Sequence, residues 1–238
     1  MNCILVVGAS SDFGLSLIDS IKGEYDLIYA HYLHHTEKIK ELKRELKDKL
    51  VLIEDDLLSA ECGKNIINTI KEVSILPNKI VYFPSYKIEN NRFTKFSIED
   101  FDNQYFLSVK ACVKILQPLL NNILKQKLGC QVVVMLSSYT TNLPPKYLSP
   151  YICSKYALLG LVKSLAVEYE DKNITINGIS PDMTNTKFLQ NISGLIVEQQ
   201  IMNSPKKRIL EVNDVIPTIK FLLSDEAKNI TGQNIVVS

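Results

Sequence analysis

Three residues carry the clearest chemistry in this chain: Ser138, Tyr151 and Lys155. Tyr151 and Lys155 are four apart in a segment, 150–169, whose apolar residues Leu158, Leu161, Val162, Leu165 and Ala166 recur at helical spacing. That spacing stacks a phenol and an ammonium on one helix face. A fixed positive charge favours phenolate, so the spacing predicts a tyrosine pKa lowered from about 10 toward working pH. Such a tyrosine can exchange a proton with a substrate oxygen. The pair alone would occur by chance about once in a chain of this composition. Ser138 raises its meaning, because it stands thirteen residues upstream of Tyr151, at the end of the apolar run 131–136. A strand end, a hydroxyl, a loop and a Tyr/Lys helix form a set that chance rarely supplies.

The elements that must position these residues alternate along the chain. Strand-like apolar runs occupy 3–7, 27–30, 50–53, 79–83, 131–136, 175–179 and 234–237. Helical patterns lie between them at 13–21, 37–47, 60–73, 98–120, 150–170 and 212–223. Ser97-Ile-Glu-Asp100 offers a capping-box-like start to the fourth helix. Short buried strands alternating with helices imply an α/β chain: one doubly wound, parallel, seven-stranded sheet flanked by helices, as a single domain over 1–238.

Composition narrows the function classes. Hydrophobic residues make up 46% and charged residues 22% of the 238 residues, and the net charge is +1. That balance provides no global field for nucleic acid or an anionic membrane. No apolar run approaches the roughly 18 residues of a membrane span, and the start lacks the basic region and cleavage site of a signal peptide. Five cysteines without a C-x-x-C read as reduced thiols, and the expected location is cytoplasmic. Cys153 lies between Tyr151 and Lys155, but its offset turns it off their face.

The first turn, Gly8-Ala-Ser-Ser-Asp-Phe-Gly14, follows a strand and opens a helix. Gly8 permits a tight turn, and Gly14 lets the helix start approach the strand. Free N–H groups and the helix dipole there suit a pyrophosphate. His31, His34 and His35 follow the second strand, but no carboxylate or cysteine completes a metal set, so no metal is expected. No Asp or Glu occurs between Leu27 and Thr36 to hold a ribose 2′-hydroxyl. His34 or His35 could instead meet a 2′-phosphate, which favours NADP over NAD. The charged run 37–47 keeps Ile39, Leu42 and Leu46 on one stripe and reads as an outer helix.

Taken together, the Gly8–Gly14 turn, Ser138, Tyr151-x-x-x-Lys155 and Asn177-Gly-Ile-Ser-Pro181 resemble the short-chain dehydrogenase/reductase family over nearly the whole chain. Among its members, the 3-oxoacyl-carrier-protein-reductase-like ones are nearest by pattern. The resemblance implies a Rossmann fold and an NAD(P)H-dependent oxidoreductase that reduces a carbonyl to a hydroxyl, with a 3-oxoacyl thioester or another small ketone as substrate. Tyr151 would be the general acid, Lys155 would lower its pKa and hold the nicotinamide ribose, and Ser138 would bond the substrate oxygen. Gly8, Ser10, Ser11, Asp12, Phe13 and Gly14 would surround the pyrophosphate, and Asp56 and Leu57 the adenine. Pro181, Met183, Thr184 and Thr186 would meet the nicotinamide carboxamide. The resemblance also implies a homodimer through the fourth and fifth helices, or a homotetramer; a tail stopping at Ser238 makes the dimer the firmer expectation. Val109, Val113, Leu116, Leu158, Leu159 and Leu165 give those helices more apolar residues than one buried face requires.

The chain departs from the family pattern at several places. Asp12 stands where the middle glycine of the turn belongs, beside the expected pyrophosphate. Tyr82-Phe-Pro-Ser85 replaces Asn-Asn-Ala-Gly, and Pro84 removes a backbone donor. Ser108 aligns with the asparagine that holds a proton-relay water, and Asp182 follows Pro181 where glycine is usual. These departures define an alternative: a weakened member kept for binding or as an inactive oligomer partner. Residues 187–204 fit the lid over the substrate, and Leu189, Ile192, Leu195 and Ile196 there favour an apolar or thioester-linked substrate. Specificity in this fold comes from that lid and from the loop 139–150.

Overall fold

The computed structural model describes residues 1–34, 36–192, 194–204 and 206–238. His35, one of the two histidines considered for a 2′-phosphate, lies outside them. Seven parallel strands form one sheet: β1 (Cys3–Val7), β2 (Leu27–Tyr32), β3 (Leu50–Glu54), β4 (Lys79–Tyr82), β5 (Cys130–Met135), β6 (Ile174–Pro181) and β7 (Asn234–Val237). Their order is β3-β2-β1-β4-β5-β6-β7, so the chain reverses direction across the sheet between β1 and β4. That reversal leaves a crevice beyond the carboxyl ends of the central strands, where ligands bind in open α/β sheets.

Helices cover both faces, because the central strands present apolar side chains to both layers. Cys3, Leu5 and Val7 of β1 pack with α3 (Lys64–Val73), α5 (Ala111–Lys125) and α6 (Ser149–Glu168). Ile4 and Val6 face the other layer, built from α1 (Asp12–Ile21), α2 (Thr36–Leu46) and α8 (Val212–Leu223). The strand expectations hold to within two residues at each end. Helix α3 starts four residues later than expected; the buried Asp55 carboxylate sets that start by accepting from the Asn65 and Ile66 amides at 2.9 and 3.4 Å.

The helix expected to run unbroken over 98–120 is instead three pieces. Helix α4 (Ile98–Tyr105) begins at Ser97, whose Oγ accepts from the Asp100 amide at 3.0 Å and donates to its carboxylate at 2.8 Å. A π-helical turn, Phe106–Lys110, then leads into α5. A further helix, α7 (Gly194–Asn203), lies within the expected lid and buries no residue, so it lacks the apolar stripe that reveals a helix in a sequence. Of the six apolar residues invoked for pairing between subunits, Val109, Leu116 and Leu158 are buried in the chain's own core.

Candidate active site

The turn after β1 shows why a glycine pair is required there. Gly8 adopts φ +83°, and a Cβ on Gly14 would stand 2.5 Å from the Gly8 carbonyl oxygen. Ser11 caps α1: its Oγ accepts from the Gly14 amide at 3.1 Å and donates to the Gly8 carbonyl at 2.7 Å. Capping leaves the Asp12 and Phe13 amides without intrahelical acceptors at the positive end of the helix dipole. This cradle fits a pyrophosphate. The part-buried Asp12 is held by its Oδ2, which accepts from the Lys187 amide at 2.8 Å, tying α1 to the segment beyond Thr186.

His31 does not belong to a histidine cluster in function. It is buried at the end of β2, where Nδ1 accepts from the Gly8 amide at 3.0 Å and Nε2 lies 2.9 Å from the Asp55 carbonyl. The ring therefore braces the Gly8 turn as a neutral imidazole with its proton on Nε2, and burial lowers its pKa. His34 is exposed nearby in the chain. Asp56 is exposed and caps its own turn, accepting from the Leu58 amide at 2.9 Å. Leu57 is buried in the core, so its side chain has no free face for an adenine. Phe83 and Pro84, which replace part of the family's glycine-containing loop, close against Gly8, with their side-chain carbons 3.3 Å from where its Cβ would be.

Across the crevice, α6 carries Tyr151 part-buried and Lys155 only 1% exposed. Lys155 Nζ donates to the Met135 carbonyl at 3.0 Å and stands 5.6 Å from the Tyr151 ring centroid. The expected lowering of the tyrosine pKa does not appear in this geometry. Burial pushes the Tyr151 phenol up to about 12, outweighing a hydrogen bond with Ser137 that acts the other way, and the nearby Tyr139 adds to the rise. Burial also takes Lys155 down to about 8. The ammonium is held by a strand-end carbonyl, and the phenol stays neutral.

The serine pair divides its work. Ser137 is the hydroxyl that acts on the Tyr151 phenol, lowering its pKa against the effect of burial. Ser138 is buried and opens a 3₁₀ turn, Ser138–Thr140, with its carbonyl accepting from Thr141 Oγ1 at 2.8 Å. That turn is tied down by Thr140 Oγ1, which donates to the Ser137 carbonyl at 2.8 Å and receives Asn234 Nδ2 at 2.9 Å. The adjacency of two serines at a strand end was the available signal for Ser137.

Ser108 lies in the π-helical turn, fully buried, with no hydrogen-bond partner for its Oγ among the described residues. Such turns recur at functional sites, and an orphaned buried hydroxyl is a place for a water. Tyr82 donates its phenolic hydrogen to the Leu107 carbonyl of the same turn. A tyrosine in place of the family's first loop asparagine therefore supports the break in the helix, a role not visible from the sequence.

The strap from β6 completes the crevice. Asp182 is held by its amide on the Val237 carbonyl at 2.8 Å. Thr184 is buried, with its hydroxyl on the Asp182 carbonyl at 2.8 Å, and Thr186 bonds the Thr184 carbonyl at 3.3 Å. Pro181 and Met183 are part-buried. Phe188 beyond them faces Tyr151, ring centroids 6.4 Å apart. Arg208 pins the far end of the lid with a forked bond to Asp214 at 2.6 and 3.0 Å.

A twisted parallel sheet with a glycine turn at one strand end and a serine–tyrosine–lysine group at another defines a class of dinucleotide-dependent oxidoreductases. A family model described as Enoyl-(Acyl carrier protein) reductase matches residues 24–238. The chain belongs to the short-chain dehydrogenase/reductase family of oxidoreductases. It is 25% identical over 241 residues to the 3-oxoacyl-[acyl-carrier-protein] reductase of Staphylococcus epidermidis, covering 98% of this chain and 96% of that protein. It is 33% identical over 143 residues to the chloroplastic NADPH-dependent aldehyde reductase-like protein of Arabidopsis thaliana, covering 60% of this chain and 52% of that one. Among solved structures, a 4-hydroxyisoleucine dehydrogenase complexed with NADH superposes with a TM-score of 0.90 at 21% identity, covering 100% of this chain and 97% of that one. Among the described residues no helix is long and apolar enough to cross a membrane.

Proposed function

We propose that this protein is an NAD(P)H-dependent carbonyl reductase that uses Tyr151 as its general acid. One observation carries the reading: Tyr151, Lys155 and a serine hydroxyl converge at the end of β5, across the crevice from the Gly8–Gly14 cradle. A bound nicotinamide cofactor supplies the hydride. Tyr151, protonated across the physiological range, donates its proton to the carbonyl oxygen. Ser137 then stabilises the phenolate that remains, and Lys155, which stays largely charged at pH 7, lowers the cost of that anion. Ser138 orients the substrate oxygen. The Ser11-capped amides hold the pyrophosphate, with Asp56 and the backbone at Leu57 beside the adenine, and Pro181 to Thr186 against the carboxamide. His34 at the ribose favours NADP over NAD. The active form is a cytoplasmic homo-oligomer built from one domain per chain.

Tyr151→Phe is expected to keep cofactor affinity and to lose at least about a hundredfold in carbonyl reduction, the usual scale of general acid–base help. Wild-type turnover in that variant would sink the assignment. One observation favours a second reading, a fold retained for binding without turnover: Phe83 and Pro84 close on Gly8 where the family keeps small residues. Titrating NADH and NADPH while following nicotinamide fluorescence separates the two, since the second reading predicts no binding up to about 1 mM.

A further inference from the structure

The turn that follows β5 is shaped by its own bonds but placed by a distant residue. Within it, the Thr140 and Thr141 amides donate to the Ser137 and Ser138 carbonyls at 2.9 and 3.0 Å. The Thr141 hydroxyl adds a bond to the Ser138 carbonyl at 2.8 Å. Such local bonds define a 3₁₀ turn without fixing where it sits on the sheet. Of the three residues Ser138–Thr140, only Thr140 has a side chain hydrogen-bonded to another element among the described residues. Its partner is Asn234, 94 positions later, at the start of the edge strand β7.

An asparagine on an edge strand is free to face water, yet this carboxamide is used at both ends. Its Nδ2 donates to Thr140 Oγ1 at 2.9 Å, and its Oδ1 accepts from Ser180 Oγ at 2.6 Å. Thr140 Oγ1 in turn donates to the Ser137 carbonyl at 2.8 Å, and it lies 3.4 Å from Ser180 Oγ. The hydrogens run one way, from Ser180 through Asn234 and Thr140 to Ser137. Thr140 and Ser180 are both buried, so no bulk water substitutes for a missing member. Only a carboxamide offers a donor and an acceptor side by side at this reach; a carboxylate has no donor. Ser180 belongs to β6, whose backbone is paired with β5 and β7 on its two sides. The strand therefore stays in place without Asn234, and the turn does not.

We infer that Asn234 is a positioning residue for proton transfer: through Thr140 it sets where the Ser137–Ser138 turn stands against Tyr151. It joins the two walls of the crevice, the serine turn on one side and the start of the Pro181 strap on the other. Asn234 acts on the reacting atoms only through that turn. A displacement of about 1 Å at a reacting centre costs about a hundredfold in rate, so a tie remote from the chemistry still governs it. The inference rests on the carbonyl-reductase reading for its effect on rate, but not for its effect on the turn.

The test has a kinetic arm and an exchange arm. Asn234→Ala is assayed with NADPH and NADH on acetoacetyl-N-acetylcysteamine, cyclohexanone and 9,10-phenanthrenequinone, in H2O and in D2O. On whichever carbonyl the unaltered protein reduces, kcat should fall at least about tenfold, with cofactor affinity kept within about twofold. The solvent isotope effect on kcat should increase, because a misplaced proton donor slows the proton step. Partial unfolding would lower kcat without moving that ratio. Thr140→Val should repeat the loss, and Thr140→Ser, which keeps the hydroxyl, should recover most of it. In the second arm, amide hydrogen exchange at 140–142 should quicken at least about tenfold in Asn234→Ala while β5 and β6 are unchanged. If Asn234→Ala does not fold, Thr140→Val serves in both arms. Unchanged kcat and isotope effect in a folded variant, or unchanged exchange at the turn, would overturn the inference and leave the reductase reading intact. If the unaltered protein binds cofactor but reduces none of the carbonyls, the reductase reading fails. Faster exchange would then still support Asn234 as the residue that holds the turn, and equal exchange would overturn that as well.

Discussion

Replacing Lys155 by methionine should make this protein more stable and less active. The Lys155 side chain is 1% exposed, and burial lowers its pKa from 10.5 to about 8. A tenfold change in proton affinity corresponds to about 1.4 kcal/mol, so keeping the charged ammonium buried costs the folded chain about 3 kcal/mol at pH 7. Between pH 8 and 10.5 the unfolded chain holds this proton and the folded chain does not. Stability therefore rises with pH through that window, and the penalty is fully present below it. Methionine has similar length, carries no charge and suits a crowded core. It leaves the Met135 carbonyl without its 3.0 Å donor, a loss of about 1 kcal/mol. The net gain of about 2 kcal/mol should raise Tm by about 4–8 °C at pH 7 for a chain of this size. Above pH 10.5, where lysine is neutral in both states, the advantage should vanish. Carbonyl reduction should fall at least about tenfold, because the phenolate loses its cation. Thermal unfolding of both proteins at pH 7 and pH 10.5 checks this. A variant less stable than wild type at pH 7, or an advantage unchanged by pH, would refute the claim that a buried charge sits here at a cost.

Other outcomes follow from the same geometry. Gly14→Ala places a methyl 2.5 Å from the Gly8 carbonyl oxygen and should destabilise by about 2–4 kcal/mol with loss of cofactor affinity, read by chemical unfolding and fluorescence titration. His31 is held neutral with a lowered pKa, so the unfolded chain takes up its proton first and stability should fall as pH drops below about 6.5. His31→Gln should flatten that part of the stability–pH curve, and an unchanged slope would show that another group titrates there. Ser108→Asn should raise turnover modestly without altering cofactor affinity, because a longer amide can hold a water where the Ser108 hydroxyl has no partner. A stable variant with normal cofactor affinity and no gain in rate would show that proton resupply does not limit the reaction.

Much of this protein can be read from residue order alone. The seven strands show as short, mostly apolar runs, since a parallel sheet covered on both faces buries both sides of its strands, and the few buried polar residues within them, such as Lys79, Gln131 and Asn177, do not hide the pattern. Their alternation with helices then permits few other topologies. The Tyr151–Lys155 pair and the Gly8–Gly14 turn are local patterns, and local geometry carries over from spacing to structure. What spacing could not supply is the environment. The Tyr151 pKa moves up rather than down because burial, a property of the assembled layers, outweighs the Ser137 hydroxyl, while the neighbouring ammonium bonds the Met135 carbonyl. Asp12 reaches Lys187, 175 residues away, and no turn pattern reveals that contact. His31 looks like one of three clustered histidines until the sheet brings Gly8 and Asp55 to its two ring nitrogens. The helix expected over 98–120 breaks at Phe106–Lys110, where Tyr82 on another element takes the Leu107 carbonyl. In each case the deciding partner is distant in the chain, so only the tertiary fold could bring it into contact.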